Sequence, residues 1–227
     1  MITLAAASDL HGTLPDIPGC DILLLAGDLC PHGSILAQRD WLDQDFRSWL
    51  DAVPAKHVVG VAGNHDFIFE KAPDLVPAGL RWHYLQDSFV ALEGLKIWGM
   101  PWILPIMGVF NLPATELVEK YSRIPNDTDI VVSHGAPYGI GDMVPSRWSI
   151  PDTEWPGGEH VGSRELTGRM FEVKPQLVVF GHIHEGHGSY PLDETLFVNA
   201  TILDGGYKHV HRPWYGCIEP RLAQATD

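Results

Sequence analysis

Short, continuous apolar runs punctuate this chain, and the main ones end in polar clusters. Residues 2–7 (Ile-Thr-Leu-Ala-Ala-Ala), 21–26 (Asp-Ile-Leu-Leu-Leu-Ala) and 57–61 (His-Val-Val-Gly-Val) are too short for helices and lack the alternation of a half-exposed strand. They have the pattern of strands buried on both faces, as in a parallel sheet covered by helices. Residues 129–132 and 176–180 repeat it. Ser34 is the predicted cap of a helix reaching residue 52, whose apolar side carries Leu36, Trp41, Leu42, Phe46, Trp49 and Leu50 and which Pro54 ends. Further helices are predicted over 113–123 and, capped by Ser163, over 163–173. Residues 89–92 and 95–98 flank Glu93-Gly94 and predict a hairpin. Residues 195–198 and 216–219 add two late strands. Residues 135–162 are rich in Gly, Pro and Trp without a clear period, and read as an irregular active-site loop.

This mixture of βαβ units and hairpins predicts an α/β fold with two mixed β-sheets packed as a sandwich and flanked by helices. No internal repeat, low-complexity tract or composition break divides the 227 residues, so one domain over 1–227 is expected.

The polar clusters supply the chemistry. Asp9-Leu10-His11, Gly27-Asp28, Gly63-Asn64-His65-Asp66, His134-Gly135 and Gly181-His182-Ile183-His184 each follow an apolar run. In α/β folds, ligand sites assemble just past the carboxyl ends of the strands. The clusters would there gather carboxylate, carboxamide and imidazole groups, a donor set suited to Mn, Fe, Ni or Zn and unlike a thiolate-based structural zinc site. Any one cluster is explained as well by a turn, because Asn, Asp and Gly favour turns. All of them together point to hydrolysis of a phosphate ester assisted by two neighbouring metal ions.

Composition narrows the partners. The net charge of −14 opposes binding to a nucleic-acid polymer or an anionic membrane. Bound cations would reverse that field within one pocket, which leaves a small phosphoester as the expected substrate. Cys20, Cys30 and Cys217 form no CxxC pair and are expected as free thiols in a reducing compartment. The first residues lack a basic leader, and no run of about 18 apolar residues occurs, so a cytoplasmic location is expected. The sequence carries no indication of oligomeric state.

The order D-x-H, GD, GNHD, H, GHxH, running from Asp9 to His184, resembles the calcineurin-like metallophosphoesterases. The resemblance implies one metal held by Asp9, His11, Asp28 and His184, and a second held by Asp28, Asn64, His134 and His182, with Asp28 bridging. It also implies a solvent hydroxide between the ions as nucleophile. His65 would stabilise the transition state or protonate the leaving oxygen, and Asp66 would orient the His65 ring. Outside these motifs, Ser133-His134-Gly135-Ala136-Pro137, Gly139-Ile140-Gly141-Asp142, His160-Val161-Gly162-Ser163 and Val198-Asn199-Ala200 resemble the small metallophosphoesterase-domain-containing phosphodiesterases. Some members of that group carry Gly where His182 stands, so both metal sites are expected to fill here. The resemblance implies phosphodiester hydrolysis, with cyclic nucleotides among the candidate substrates and Mn²⁺ as the ion expected to activate it in vitro.

A phosphomonoesterase, including a protein phosphatase, would use the same centre and remains an alternative. A non-catalytic interaction module on the same scaffold is a second alternative, although the retained Asn64, His65, His182 and His184 argue against it. Candidate substrate contacts are Arg147, Trp148 and Trp155 in the 135–162 loop, with Arg164, His160 and His187 beside it. His32, His57, His83, His209 and His211 are expected at the surface or in packing.

Overall fold

The structure, a computed structural model, describes residues 1–145 and 158–221. In chain order its strands are β1 (Ile2–Ala7), β2 (Cys20–Ala26), β3 (Ala55–Val61), β4 (His83–Tyr84), β5 (Ser88–Leu92), β6 (Leu95–Met100), β7 (Ile130–Ser133), β8 (Met143–Val144), β9 (Glu159–His160), β10 (Leu177–Phe180), β11 (Gly188–Leu192), β12 (Thr195–Asn199) and β13 (Trp214–Ile218). The first large sheet has the order β13-β1-β2-β3-β4, and the second has the order β11-β12-β10-β7-β6-β5. Both are parallel at the centre; the first carries antiparallel β13 at one edge, and the second carries antiparallel β11 and β5 at its two edges.

The continuous apolar runs are explained by where their alternate residues point. Leu4, Ala6, Ile22, Leu24, Ala26, Val59 and Val61 of the first sheet meet Ile97, Ile130, Val132, Leu177, Val179 and Val198 of the second in one buried layer. The intervening residues, such as Leu23, Leu25, Val131 and Val178, pack in a separate cluster with side chains of the covering helices. The predicted sandwich is therefore present, with a buried layer between the sheets and helices outside.

The helices follow their caps. The Ser34 side chain accepts a hydrogen bond from Ala37 N, and α1 spans Ile35–Trp41. The segment continues through a π-turn, Leu42–Phe46, into α2, Arg47–Ala52. Gln38, Leu42, Phe46 and Leu50 therefore form its buried face at a spacing of four. Leu36, expected on that face, is exposed: it stands two residues before Gln38 in α1, about 200° round the helix from the buried side. A short α3 (Phe67–Lys71) follows the third polar cluster. The helices α4 (Ala114–Ser122) and α5 (Arg164–Val173) pack on each other, and Ser163 caps α5 by accepting from Leu166 N. In the β5–β6 hairpin, Glu93 and Gly94 both adopt positive φ (52° and 80°), the tight turn that matches strand twist. Among the described residues, no helix is long and apolar enough to cross a membrane. Cys20 and Cys30 are buried and Cys217 is exposed, and all three are free thiols.

Candidate metal centre

The carboxyl ends of β1, β2, β3, β7 and β10 lie along one edge of the sandwich, and the polar clusters leave the sheets there. The chain must turn sharply at this edge. Asp9, His11, Asp28 and His182 all adopt left-handed backbone (φ 56°, 41°, 51° and 69°), a region uncommon for residues with a Cβ, in which Asp and His are enriched and which recurs at functional sites. Close approach also demands glycine. A Cβ on Gly63 would collide with Asp28, and one on Gly181 would collide with Ser8 and Asp9.

The turns bring eight of the nine core candidates together with their side chains facing one another. Asp28 sits between two imidazoles: its Oδ2 lies 3.5 Å from His11 Nε2, and its Oδ1 lies 3.5 Å from His134 Nε2. Asp9 Oδ1 lies 3.4 Å from His184 Nε2, and His134 Nε2 lies 3.0 Å from Asn64 Oδ1. The His182 ring stands 5.0 Å from the His134 ring, and the His65 ring stands 5.0 Å from the His11 ring.

Several of these groups are held from behind. His134 Nδ1 bonds the Ala26 carbonyl at 2.8 Å, and His184 Nδ1 bonds the Asp204 carbonyl at 3.0 Å, which turns both Nε2 atoms inward as donors to a cation. Asn64 Nδ2 donates to the Met107 carbonyl at 2.9 Å, leaving its Oδ1 to face the site. Among the described residues, His11 makes no hydrogen bond at either ring nitrogen although both are buried. Such an orphan costs free energy unless a further partner is present, and a divalent cation fits this carboxylate, amide and imidazole set. Asp9, His11 and His184 form one group able to hold an ion, and Asp9, Asp28 and His134 form another.

The electrostatics agree. Burial alone would raise the Asp28 carboxyl, but the neighbouring His134 and His11 hold it far below the usual carboxylate range. Burial would likewise lower His134, but Asp28 pushes it up to about 9 in the metal-free site. Burial, reinforced for His182 by His134, brings His11 and His182 down to about 4, so both rings stay neutral and able to ligate near pH 7.

The ninth candidate, Asp66, does something other than expected. Its carboxylate accepts from Leu29 N (3.1 Å), Cys30 N (2.8 Å) and Gly63 N (2.8 Å) rather than from the His65 ring. It ties the β2 and β3 loops together, because three convergent amides outcompete a neighbouring imidazole. His65 is positioned through its backbone: its N–H donates to Asp28 Oδ1 at 2.8 Å, and its carbonyl accepts from buried Gln38 Nε2 at 2.7 Å.

The candidates for substrate contact fare less well. His187 bonds the Thr201 carbonyl and stacks on His211 at 3.8 Å, outside the cavity lining. Arg164 lies over the Tyr138 ring (3.5 Å), and His160 bonds buried Asp142 (2.6 Å). Arg147, Trp148 and Trp155 lie outside the described residues. Two unforeseen residues do border the centre. His32 stacks on His11 (4.9 Å) and meets the His65 ring edge-on (4.9 Å). Half-exposed Tyr207 stands 5.0 Å from both His11 and His184. The only sequence signal for His32 was its place four residues after Asp28.

A cavity of about 670 Å³ opens over the centre, with Asp28, Asn64, His65, His182 and His184 in its lining.

Comparison with known proteins accords with this geometry. The calcineurin-like phosphoesterase family model matches residues 2–186. Human metallophosphoesterase domain-containing protein 1 is 32% identical over 91% of this chain and 68% of its own length. A UPF0046 protein of Caenorhabditis elegans is 31% identical over 90% of this chain and 75% of its own. The crystal structure of phosphopantetheinyl hydrolase from Mycobacterium tuberculosis superposes with a TM-score of 0.58 at 14% identity over 98% of both chains, a likeness of fold. With its motif blocks on the matching strand ends, this chain belongs to the calcineurin-like phosphoesterase family.

Proposed function

We propose that the chain hydrolyses small phosphodiesters at a centre of two divalent cations. The observation that carries this reading is the Asp28 carboxylate, whose two oxygens each face a different imidazole at 3.5 Å. Asp9, His11, Asp28 and His184 would hold one cation, and Asp28, Asn64, His134 and His182 the other. When bound, the pair supplies Lewis acidity toward the phosphoryl oxygens and acidifies a water enough for it to attack at neutral pH.

The chain's own groups do the rest. Asp28 fixes the separation of the two halves. His65 faces the same cavity from beside Asp28, where its imidazole can hold a proton at the leaving oxygen. Tyr207 and His32 border the centre on one side. A diester is favoured over a monoester by charge: a monoester brings a second negative charge, and the described lining beyond the centre offers Glu159 and Glu185 but no Lys or Arg. The cytoplasm, with its free-thiol chemistry and Mn²⁺ supply, is the setting we propose.

The test compares bis(p-nitrophenyl) phosphate with p-nitrophenyl phosphate after reconstitution with Mn²⁺. Faster hydrolysis of the diester is expected. Faster turnover of the monoester would favour the phosphomonoesterase alternative. No hydrolysis of either with Mn, Fe, Ni, Co or Zn would leave the non-catalytic module.

A further inference from the structure

The cavity over the centre has a second wall unlike the first. Its floor is polar, but one side is formed by the consecutive residues Ile103, Leu104, Pro105, Ile106 and Met107. Two of these are held out in solvent: Ile106 is 60% exposed and Met107 is 73% exposed. Adjacent large apolar side chains beside the cavity offer a surface that an apolar group of a ligand can cover.

The loop carrying them is fixed to the centre. Asn64 Nδ2 donates to the Met107 carbonyl, and Val109 N donates to the Asn64 carbonyl, both at 2.9 Å. Gly108 makes the turn between them with φ +100°, and a Cβ there would collide with the Asn64 carbonyl oxygen. Ile103 N bonds the Phe110 carbonyl (3.0 Å), and Ile106 N bonds Asn111 Oδ1 (2.8 Å), closing the loop on itself. The apolar wall is therefore set at a defined position relative to Asn64, and ordering it costs a ligand little.

We propose that residues 103–107 form a binding site for an apolar alkyl or aryl arm of the substrate, so that the preferred diester carries one phosphate and an uncharged, hydrophobic ester group. This inference rests on the phosphoesterase reading for the place of the phosphate. The described lining also argues against a second anionic group, since Glu159 and Glu185 would repel it.

The test measures binding rather than turnover. Dimethyl, dibutyl and dihexyl phosphate are titrated calorimetrically into the Mn²⁺-loaded protein below their aggregation concentrations. Because these diesters are symmetric, either arm can enter the site. Affinity is expected to rise about two- to fourfold per methylene until the wall is covered, the range for partial to full burial of a CH₂. The double variant Ile106→Gln, Met107→Gln should flatten that dependence. Its readout is the ratio of dihexyl to dimethyl affinity, which cancels any change in how phosphate itself is held. Equal affinity for all three diesters in the wild-type protein would overturn the inference, as would a chain-length dependence that the double variant leaves intact. Chain-length-dependent binding by a protein that hydrolyses no phosphoester would uphold the apolar site and refute the catalytic reading, so the two failures are distinct.

Discussion

Gly63→Ala tests how tightly the centre is built. Gly63 does not need positive φ, so alanine adds a steric demand without backbone strain. Its Cβ would collide with Asp28 Oδ1 and N and lie 2.8 Å from Asp28 Cγ. Asp28 has no room to yield. It is 2% exposed, has left-handed backbone, accepts from His65 N and follows Gly27, whose own surroundings include the His134 ring. Overpacking of this kind costs about 1–3 kcal/mol. At about 2–4 °C per kcal/mol for a domain of this size, the metal-free variant should melt about 2–12 °C lower. Gly168→Ala is the control: it lies in α5 with nothing within 4 Å of its would-be Cβ, and should raise stability by about 0.5–1 kcal/mol. Calorimetry of both metal-free variants, with metal analysis after Mn²⁺ reconstitution, reads the outcome. Gly63→Ala should retain fewer than two ions per chain. A Gly63→Ala protein with wild-type melting temperature and two bound ions would refute the close approach of β2 and β3 loops on which the site depends.

Three further outcomes follow from the site. His65→Ala should keep its metal content while turnover of bis(p-nitrophenyl) phosphate falls by about 10²–10⁴; parallel loss of metal would make His65 a ligand. Asp66→Asn replaces an acceptor of three backbone amides with a group that also carries donors, so about 1–3 kcal/mol of stability should be lost, with the pH dependence of kcat unchanged; an altered profile with wild-type melting temperature would restore the orienting role. For pH, His134 is raised from 6.5 to about 9 in the metal-free protein, so its contribution is complete below pH 6.5 and is lost as pH rises through 9. Asp66, raised to about 6, has lost its contribution by then, and His11 and His182, lowered to about 4, contribute fully throughout. The metal-free melting temperature should therefore fall between pH 6.5 and 9, whereas metal affinity should rise because binding displaces the His134 proton; a flat or rising metal-free curve would contradict the charged His134–Asp28 pair.

The strands that carry the centre were legible because each is buried on both faces and so reads as an unbroken apolar run. Two of the edge strands, β4 and β11, were not. β4 has only two residues, and β11 contains Pro191, which a central strand would not tolerate but an edge strand does. The π-turn at Leu42–Phe46 left no mark in the pattern beyond a spacing of four. At the site, the motif order placed Asp9, His11, Asp28, Asn64, His65, His134, His182 and His184 together. The job of Asp66 was misjudged, because sequence adjacency to His65 says nothing about where its carboxylate points. His32 and Tyr207 were missed for the opposite reason: neither lies in a motif, and only the fold brings residues 32 and 207 to His11.

The most direct test of the two-cation centre is anomalous diffraction from crystals of the protein soaked in Mn²⁺. Two peaks about 3.5–4 Å apart are expected, one beside Asp9 and His184 and the other beside Asn64 and His134, with the Asp28 carboxylate between them. A single peak, or a pair that does not share Asp28, would contradict the account.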